Sequence, residues 1–213
     1  MVRTAVLVSG DGTNLQSIIN AQNFGKIKNC QLAAVISSRP EAFALTRAKS
    51  AGIPTFVVEY KHFSNRAAFN EAVYQKLKSL DIELVVLAGF MVVLGSPVIE
   101  AFENRIINIH PSLVPSFCGE GFYGIRVHEE ALNYGVKVSG ATAHFATAVA
   151  DAGPVIIQRA IEVRENDTPS SLQKRIMEEV EWKILPEAIS LYCEGRLSVD
   201  GRIVNIKDKG VYS

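Results

Sequence analysis

The sequence predicts an α/β fold: an open twisted sheet, mainly parallel in its N-terminal half, with mixed or antiparallel strands and a long helix in its C-terminal half. Three features predict it. Short β-branched apolar runs alternate with segments of helical period from Val2 onward, the pattern of successive βαβ units. The runs Leu84–Ala88 and Ile106–Ile109 are apolar almost without interruption, as strands buried on both faces of a parallel sheet are. From Val136 to Thr147, Thr142 and His144 alternate with apolar residues, which is the period-2 mark of a strand with one polar face.

Each element has its own grounds. Val2 to Ser9 reads as the first strand, and Gly10-Asp-Gly-Thr-Asn14 turns the chain into a helix over Leu15 to Ala21. Gln31 to Ser37 is the second strand and Glu41 to Ala51 the second helix, closed by Gly52. Ile53 to Val58 is a short third strand whose proline suits an edge or a strand start. Ser64 caps a helix from Asn65 to Leu80, and Leu84 to Ala88 is a fourth strand running into the apolar loop Gly89–Leu94. Pro97 sits in the first turn of a short helix to Phe102. The fifth strand, Arg105 to His110, must stop at Pro111, which has no N–H for a ladder. Pro111 to Arg126 is rich in Gly, Pro and Ser, a long loop of the kind that is usually functional or mobile. Val127 to Asn133 is a short helix, and the Asp151–Pro154 turn leads into an outer strand, Val155 to Val163. Thr168-Pro169 opens a long helix to Tyr192, with a kink expected at Pro186. Leu197 to Val204 reads as a hairpin on an Asp-Gly turn, with frayed polar residues after it.

Composition narrows the function. Lys+Arg and Asp+Glu both number 22, so nothing suggests a general electrostatic grip on nucleic acid or an anionic membrane. No apolar run is long enough to span a bilayer and no leader precedes the first strand, so the expected location is cytoplasmic. Cys30, Cys118 and Cys193 are far apart, odd in number and outside any Cys-x-x-Cys pattern, and read as reduced thiols. With no repeat, low-complexity tract or linker, residues 1–213 read as a single domain.

Asn108 and His110 lie two apart, so their side chains leave the fifth strand from one face, at the carboxyl end where open α/β sheets place ligands. A hydrogen-bonded core amide and a structural histidine explain an isolated pair equally well. The glycine loop has Leu15 where a dinucleotide fingerprint needs glycine, and no Gly-Lys-Ser/Thr follows. What remains suits a single phosphate on the helix N-terminus, with Thr13 and Asn14 as further donors; the alternative is a turn capped by one of them that binds nothing. No serine or cysteine sits in a nucleophile elbow, and no His/Cys/Asp/Glu spacing suggests a metal. Direct transfer fits better: the substrate supplies the nucleophile, Asn108 and a charged His110 stabilise a tetrahedral oxyanion, and Asp151 manages protons. His144 is a further candidate that a polar strand face also explains. Arg66, in a first helical turn where a cation is mildly unfavourable, is either a ligand contact or an indifferent surface residue.

The segments Ser9-Gly-Asp-Gly-Thr-Asn-Leu15, Leu87-Ala-Gly-Phe-Met91, Ile107-Asn-Ile-His-Pro-Ser-Leu-Val-Pro115 and Asp151-Ala-Gly-Pro154 stand in the order and spacing of the phosphoribosylglycinamide formyltransferases. The resemblance to this family of folate-dependent formyltransferases covers essentially the whole chain. It implies a Rossmann-like sheet and transfer of a formyl group from 10-formyltetrahydrofolate, the co-substrate, to the amine of glycinamide ribonucleotide in purine biosynthesis. It implies small-molecule substrates, no metal, and no nucleic-acid or membrane partner; a homodimer is compatible with it. On the family's pattern, His110 is the acid and oxyanion partner, Asn108 orients the carbonyl, and Asp151 tunes His110 through water. Gly12, Thr13 and Asn14 match the phosphate loop, Glu181 the acid for the ribose hydroxyls, and Arg66, Met91, Val92, Val93 and Leu94 the folate side. Residues 1–100 then form the phosphate-binding parallel half and 101–213 the catalytic and folate half.

Two departures stand out. The Phe117–Val127 loop looks longer than in the shorter members, and Trp182 stands where many have histidine. Methionyl-tRNA formyltransferase, formyltetrahydrofolate hydrolase, sugar-nucleotide formyltransferases and a non-catalytic nucleotide- or folate-binding domain are the alternatives. The first two normally carry an extra domain for which this length leaves no room.

Overall fold

The computed structural model describes residues 1–208. Five parallel strands come first: β1 (Val2–Val8), β2 (Cys30–Ser37), β3 (Thr55–Val57), β4 (Leu84–Leu87) and β5 (Ile106–His110). β6 (Val138–Phe145) and β7 (Val155–Glu162) continue antiparallel, and the hairpin of β8 (Leu197–Asp200) and β9 (Ile203–Ile206) is appended beyond them. All nine belong to one sheet, in the order β3-β2-β1-β4-β5-β6-β7-β9-β8. The helices are α1 (Thr13–Asn23), α2 (Phe43–Ser50), α3 (Arg66–Ser79), α4 (Ser96–Ala101), α5 (Ile125–Tyr134), α6 (Pro169–Ile176) and α7 (Trp182–Cys193).

Alternation within the strands explains why the sheet is covered on both sides. Along β1, Val6 and Val8 face a core built with Leu15 and Ile18 of α1 and Ile184 and Ile189 of α7. Ala5 and Leu7 face the opposite core, with Phe69 and Val73 of α3 and Val98 of α4. Each such large side chain, fully buried, contributes about 1.5–3 kcal/mol of transfer free energy. The strand order reverses between β1 and β4, so their carboxyl ends open the crevice in which α/β sheets bind ligands. The two loops that rim it are tied together. Ser9 donates its N–H to Gly89 O (3.1 Å), and its hydroxyl meets Ser38 Oγ (2.7 Å) and accepts from Met91 N–H (2.9 Å).

Several boundaries differ from the sequence reading. The parallel run ends with β5, not near residue 100, so the last parallel strand belongs to the C-terminal half. β7 is not outermost, because Val155 pairs with Ile203 and the hairpin takes the edge. The cap of α3 is Asn65, whose side chain accepts from Ala68 N–H (2.9 Å), rather than Ser64. Asp200 pairs with Ile203, so the hairpin tip is Gly201-Arg202 and not Asp-Gly. Pro186 lies inside α7, and the long helix is interrupted earlier, at a π turn over Met177–Glu181 where Trp182 N–H reaches Met177 O, five residues back. Such turns recur at functional sites because the extra residue re-aims a side chain, here that of Glu181. The final polar residues read as frayed fall mostly outside the described ones.

At the turn before β7 the packing admits only glycine. A Cβ on Gly153 would sit 1.7 Å from the Phe145 carbonyl oxygen, whereas one on Gly10 would meet nothing within 4 Å. Gly153→Ala should therefore cost about 3 kcal/mol or more of stability in urea unfolding, and Gly10→Ala about 1 kcal/mol or less.

Candidate active site

Asn108 and His110 stand at the carboxyl end of β5, the first half-buried and the second buried. Asp151 reaches them from the turn after β6. Its φ of 53° is left-handed, a conformation aspartate tolerates better than most residues, and residues so held cluster at functional sites. The turn is held to β6 by Phe145 N–H donating to Pro154 O (2.9 Å) and by the side-chain-free approach of Gly153 to Phe145.

Three side chains converge on the carboxylate. Asn108 Nδ2 donates to Asp151 Oδ1 (3.2 Å), and His110 Nδ1 lies 3.4 Å from Asp151 Oδ2, a direct approach rather than the water-bridged one the family pattern implies. His144 completes the group, its Nε2 3.1 Å from Asn108 Nδ2 and 3.6 Å from Asp151 Oδ1. His144 Nδ1 is 2.9 Å from the Phe145 carbonyl, an acceptor only, so Nδ1 carries a proton. The alternation of β6 singled out His144 in the sequence; only the register that sets it opposite Asn108 places it in the site.

The long loop lies over this cluster. Phe117 O is 2.9 Å from His110 Nε2, and Gly119 N–H donates to Asp151 Oδ2 (2.9 Å). Thr142 fastens the loop's root to β6, donating to Ser112 O (2.6 Å) and accepting from Val114 N–H (3.1 Å). Every polar atom His110 offers is thus engaged. Burial pulls the His110 pKa below the ordinary histidine value, only partly opposed by the Asp151 charge and the Phe117 carbonyl. Burial also opposes ionisation of Asp151, but the imidazoles of His144 and His110 and the Gly119 N–H together hold its carboxyl below the usual range. His128 of α5 is wholly buried, neither ring nitrogen has a hydrogen-bond partner, and burial together with the nearby His110 lowers its pKa to about 4.

The glycine loop is built differently. Gly12 caps α1 at φ 73°, with no side-chain hydrogen bond to the first turn, so the N–H groups there are left for an anion. A Cβ on Gly12 would stand 2.6 Å from Ala44 Cβ, which explains the glycine. Thr13 Oγ1 makes only a weak contact to Met177 Sδ (3.4 Å). Asn14 Nδ2 is committed to Glu181 Oε2 (2.6 Å), and Asn14 Oδ1 is buried without a partner. Burial raises the Glu181 pKa, partly offset by the Asn14 hydrogen bond. Of the four apolar residues after β4, Met91 and Val93 are about half exposed at the crevice rim, while Val92 packs on the core and Leu94 is buried in it. Leu94 therefore offers no side chain to a ligand. Arg66 is exposed at the first turn of α3 and makes no ion pair among the described residues. Among the described residues, no group of three or more His, Cys, Asp or Glu is placed to hold a metal ion, no helix is long and apolar enough to cross a membrane, and the three cysteines are free.

A formyl transferase family model matches residues 2–189. The human trifunctional purine biosynthetic protein adenosine-3 is 39% identical over 209 residues, covering 97% of this chain but 20% of its own length. The chain thus spans about a fifth of that relative. The phosphoribosylglycinamide formyltransferase of Haemophilus influenzae is 36% identical over 211 residues, covering 99% of this chain and 96% of its own. The crystal structure of glycinamide ribonucleotide transformylase 1 from Symbiobacterium toebii superposes with a TM-score of 0.91 at 45% identity, covering 98% of this chain and 95% of that one.

The buried His128 sets a pH dependence of stability. An unfolded histidine titrates near 6.5 and the folded one at about 4, so the unfolded chain binds the extra proton between these values. Stability should fall as pH drops through that window, by about 3 kcal/mol from this group, and His128→Leu should remove that part of the slope in urea unfolding followed between the two pH values.

Proposed function

The chain belongs to the formyl transferase family, and we propose that it transfers a formyl group from 10-formyltetrahydrofolate to the amine of N1-(5-phosphoribosyl)glycinamide, the step its name-bearing relatives take in purine biosynthesis. The observation that carries the reading is the meeting of Asn108, His110 and Asp151 at the tip of β5, two strands from an uncapped phosphate loop. Strands in a sheet lie about 4.8 Å apart, so loop and imidazole are separated laterally by about 10 Å. A phosphoribosyl group spans that gap, with the phosphate on the first turn of α1 and the glycinamide amine delivered to His110. On this reading Glu181, held beside Asn14, meets the ribose hydroxyls. The exposed Met91 and Val93 offer an apolar wall to a flat pterin, and Arg66, without an ion pair among the described residues, suits the carboxylates of its glutamyl tail.

In the reaction the substrate amine attacks the formyl carbon and its carbonyl oxygen gains charge. His110 Nε2–H and the Asn108 amide donate to that oxygen, and Asp151 favours the charged imidazole. As the carbon–nitrogen bond to the folate breaks, the proton lost by the amine passes to the departing nitrogen. None of this can proceed with His110 bonded to Phe117 O and Asn108 bonded to Asp151, so the Ser112–Gly124 loop must withdraw and Asn108 must turn before the formyl group enters. A formyltetrahydrofolate hydrolase would need no phosphomonoester site, which makes the uncapped first turn of α1 the feature that favours transfer.

Purified protein supplied with both substrates should form the N-formyl product faster than it hydrolyses the donor or formylates methionyl-tRNA. Hydrolysis alone would end the proposal. His110→Ala and Asp151→Asn should each lower kcat by about 100-fold or more with little change in KM. Thr13→Ala combined with Asn14→Ala should instead raise the KM for the ribonucleotide by about tenfold, since the loop binds and does not react.

A further inference from the structure

A groove of about 740 Å³ runs along the outer side of α1 and α7, from Thr13 to Phe24; it is lined by none of Asn108, His110 or Asp151 and shares only Thr13 with the glycine loop. Its volume lies in the range of small-molecule sites, about 300–1,000 Å³. Its chemistry is one-sided. Five cations line it, Lys26, Lys28, Arg47, Lys183 and Arg196, against two acids, Glu187 and Glu194, in a chain whose net charge is zero. The acids are already engaged: Glu187 pairs with Arg159 (2.6 Å), and Glu194 accepts from the Ser190 hydroxyl (2.8 Å). The three lysines make no ion pair among the described residues. Two of the cations are held in place by backbone acceptors, Arg47 Nε on Asp11 O (2.8 Å) and Arg196 Nε on Lys207 O (2.8 Å). That leaves their remaining donors pre-organised at low entropic cost.

The apolar half of the lining is aromatic at two points. Phe24 is 77% exposed, an unusual cost for a phenylalanine at the end of a helix, and Trp182 is half-buried at the other end. Flat apolar faces beside a cluster of unpaired cations match a ligand with an aromatic ring and a string of phosphates. We propose that this groove is a second binding site, for a nucleotide, whose phosphates meet Lys26, Lys28 and Lys183 and whose base lies on an aromatic wall. α1 and α7 form most of the wall, and Arg47 of α2, Lys26 and Lys28 after α1, and Arg196 and Ile206 of the C-terminal segment complete it.

Trp182 is the chain's sole tryptophan, so its fluorescence reports on this groove directly. Titration of the intact protein with ADP should give a saturable change. Pyrophosphate should bind about tenfold more weakly, because it lacks the stacked ring. Lys26→Glu with Lys28→Glu should raise the ADP Kd by about tenfold or more while leaving formyl transfer in the absence of ADP unchanged, and Phe24→Ala should weaken ADP without weakening pyrophosphate. No saturable change, or equal ADP affinity in the lysine variant, overturns the proposal. Displacement of ADP by saturating glycinamide ribonucleotide overturns it too, by placing ADP in the substrate crevice. A response to poly-glutamate matching that to ADP assigns the groove to an acidic protein segment instead. None of these outcomes bears on the transfer reaction, which is assayed separately.

Discussion

One carboxylate organises the site. Asp151 receives Asn108, faces two imidazoles, and is capped by the N–H of Gly119, so four segments of chain meet at a single pair of oxygens. That meeting depends on how close the Asp151–Pro154 turn can come to the end of β6. The approach of Gly153 to the Phe145 carbonyl leaves no volume for a side chain, and the left-handed backbone of Asp151 swings its carboxylate back over β5. The energetic balance is tight. Burial alone would favour a neutral carboxyl, and it is the surrounding donors that keep it ionised; the charge of Asp151 in turn acts against the burial that depresses His110.

The sheet brings the second half of the chemistry within reach. Because strand order reverses at β1 and β4, the loops after both strands face one crevice, and Ser9 clamps them together through Gly89, Met91 and Ser38. The proposed anion site on α1, the apolar rim after β4 and the proposed acid–base cluster on β5 then fall side by side by strand adjacency alone. The π turn adds Glu181 from the far end of the chain. Without its extra residue, a regular helix would carry that side chain about 100° further around.

The long loop lies against the cluster. Phe117 O occupies the imidazole nitrogen that would meet the formyl oxygen, and Gly119 occupies part of the carboxylate. Buried polar groups must bond to something, and here the loop satisfies them. The bonds are neutral or singly charged, of the order of 1–3 kcal/mol each, which substrate binding energy can readily exceed. Thr142 and Gln158 hold the loop's root at Ser112 and Val114, while its tip carries these contacts.

Much of this can be read from residue order alone, and the reason is local. The strands β1 to β6 and most helices announce themselves through hydrophobic period, and Gly12 and Pro111 through backbone constraints that hold in any context. The pairing of Asn108 with His110 follows from a two-residue spacing that any strand converts to a shared face. What composition and spacing could not provide is everything set by contact between distant segments. The register that brings His144 opposite Asn108, the split of Met91–Leu94 into exposed and buried residues, and the capture of Asn14 by Glu181 are decided by packing. So are the direct contact of Asp151 with His110 and the placement of the hairpin beyond β7, since neither leaves a periodic trace in the chain. Local pattern fixes which face a side chain leaves from; only the assembled sheet decides what it meets there.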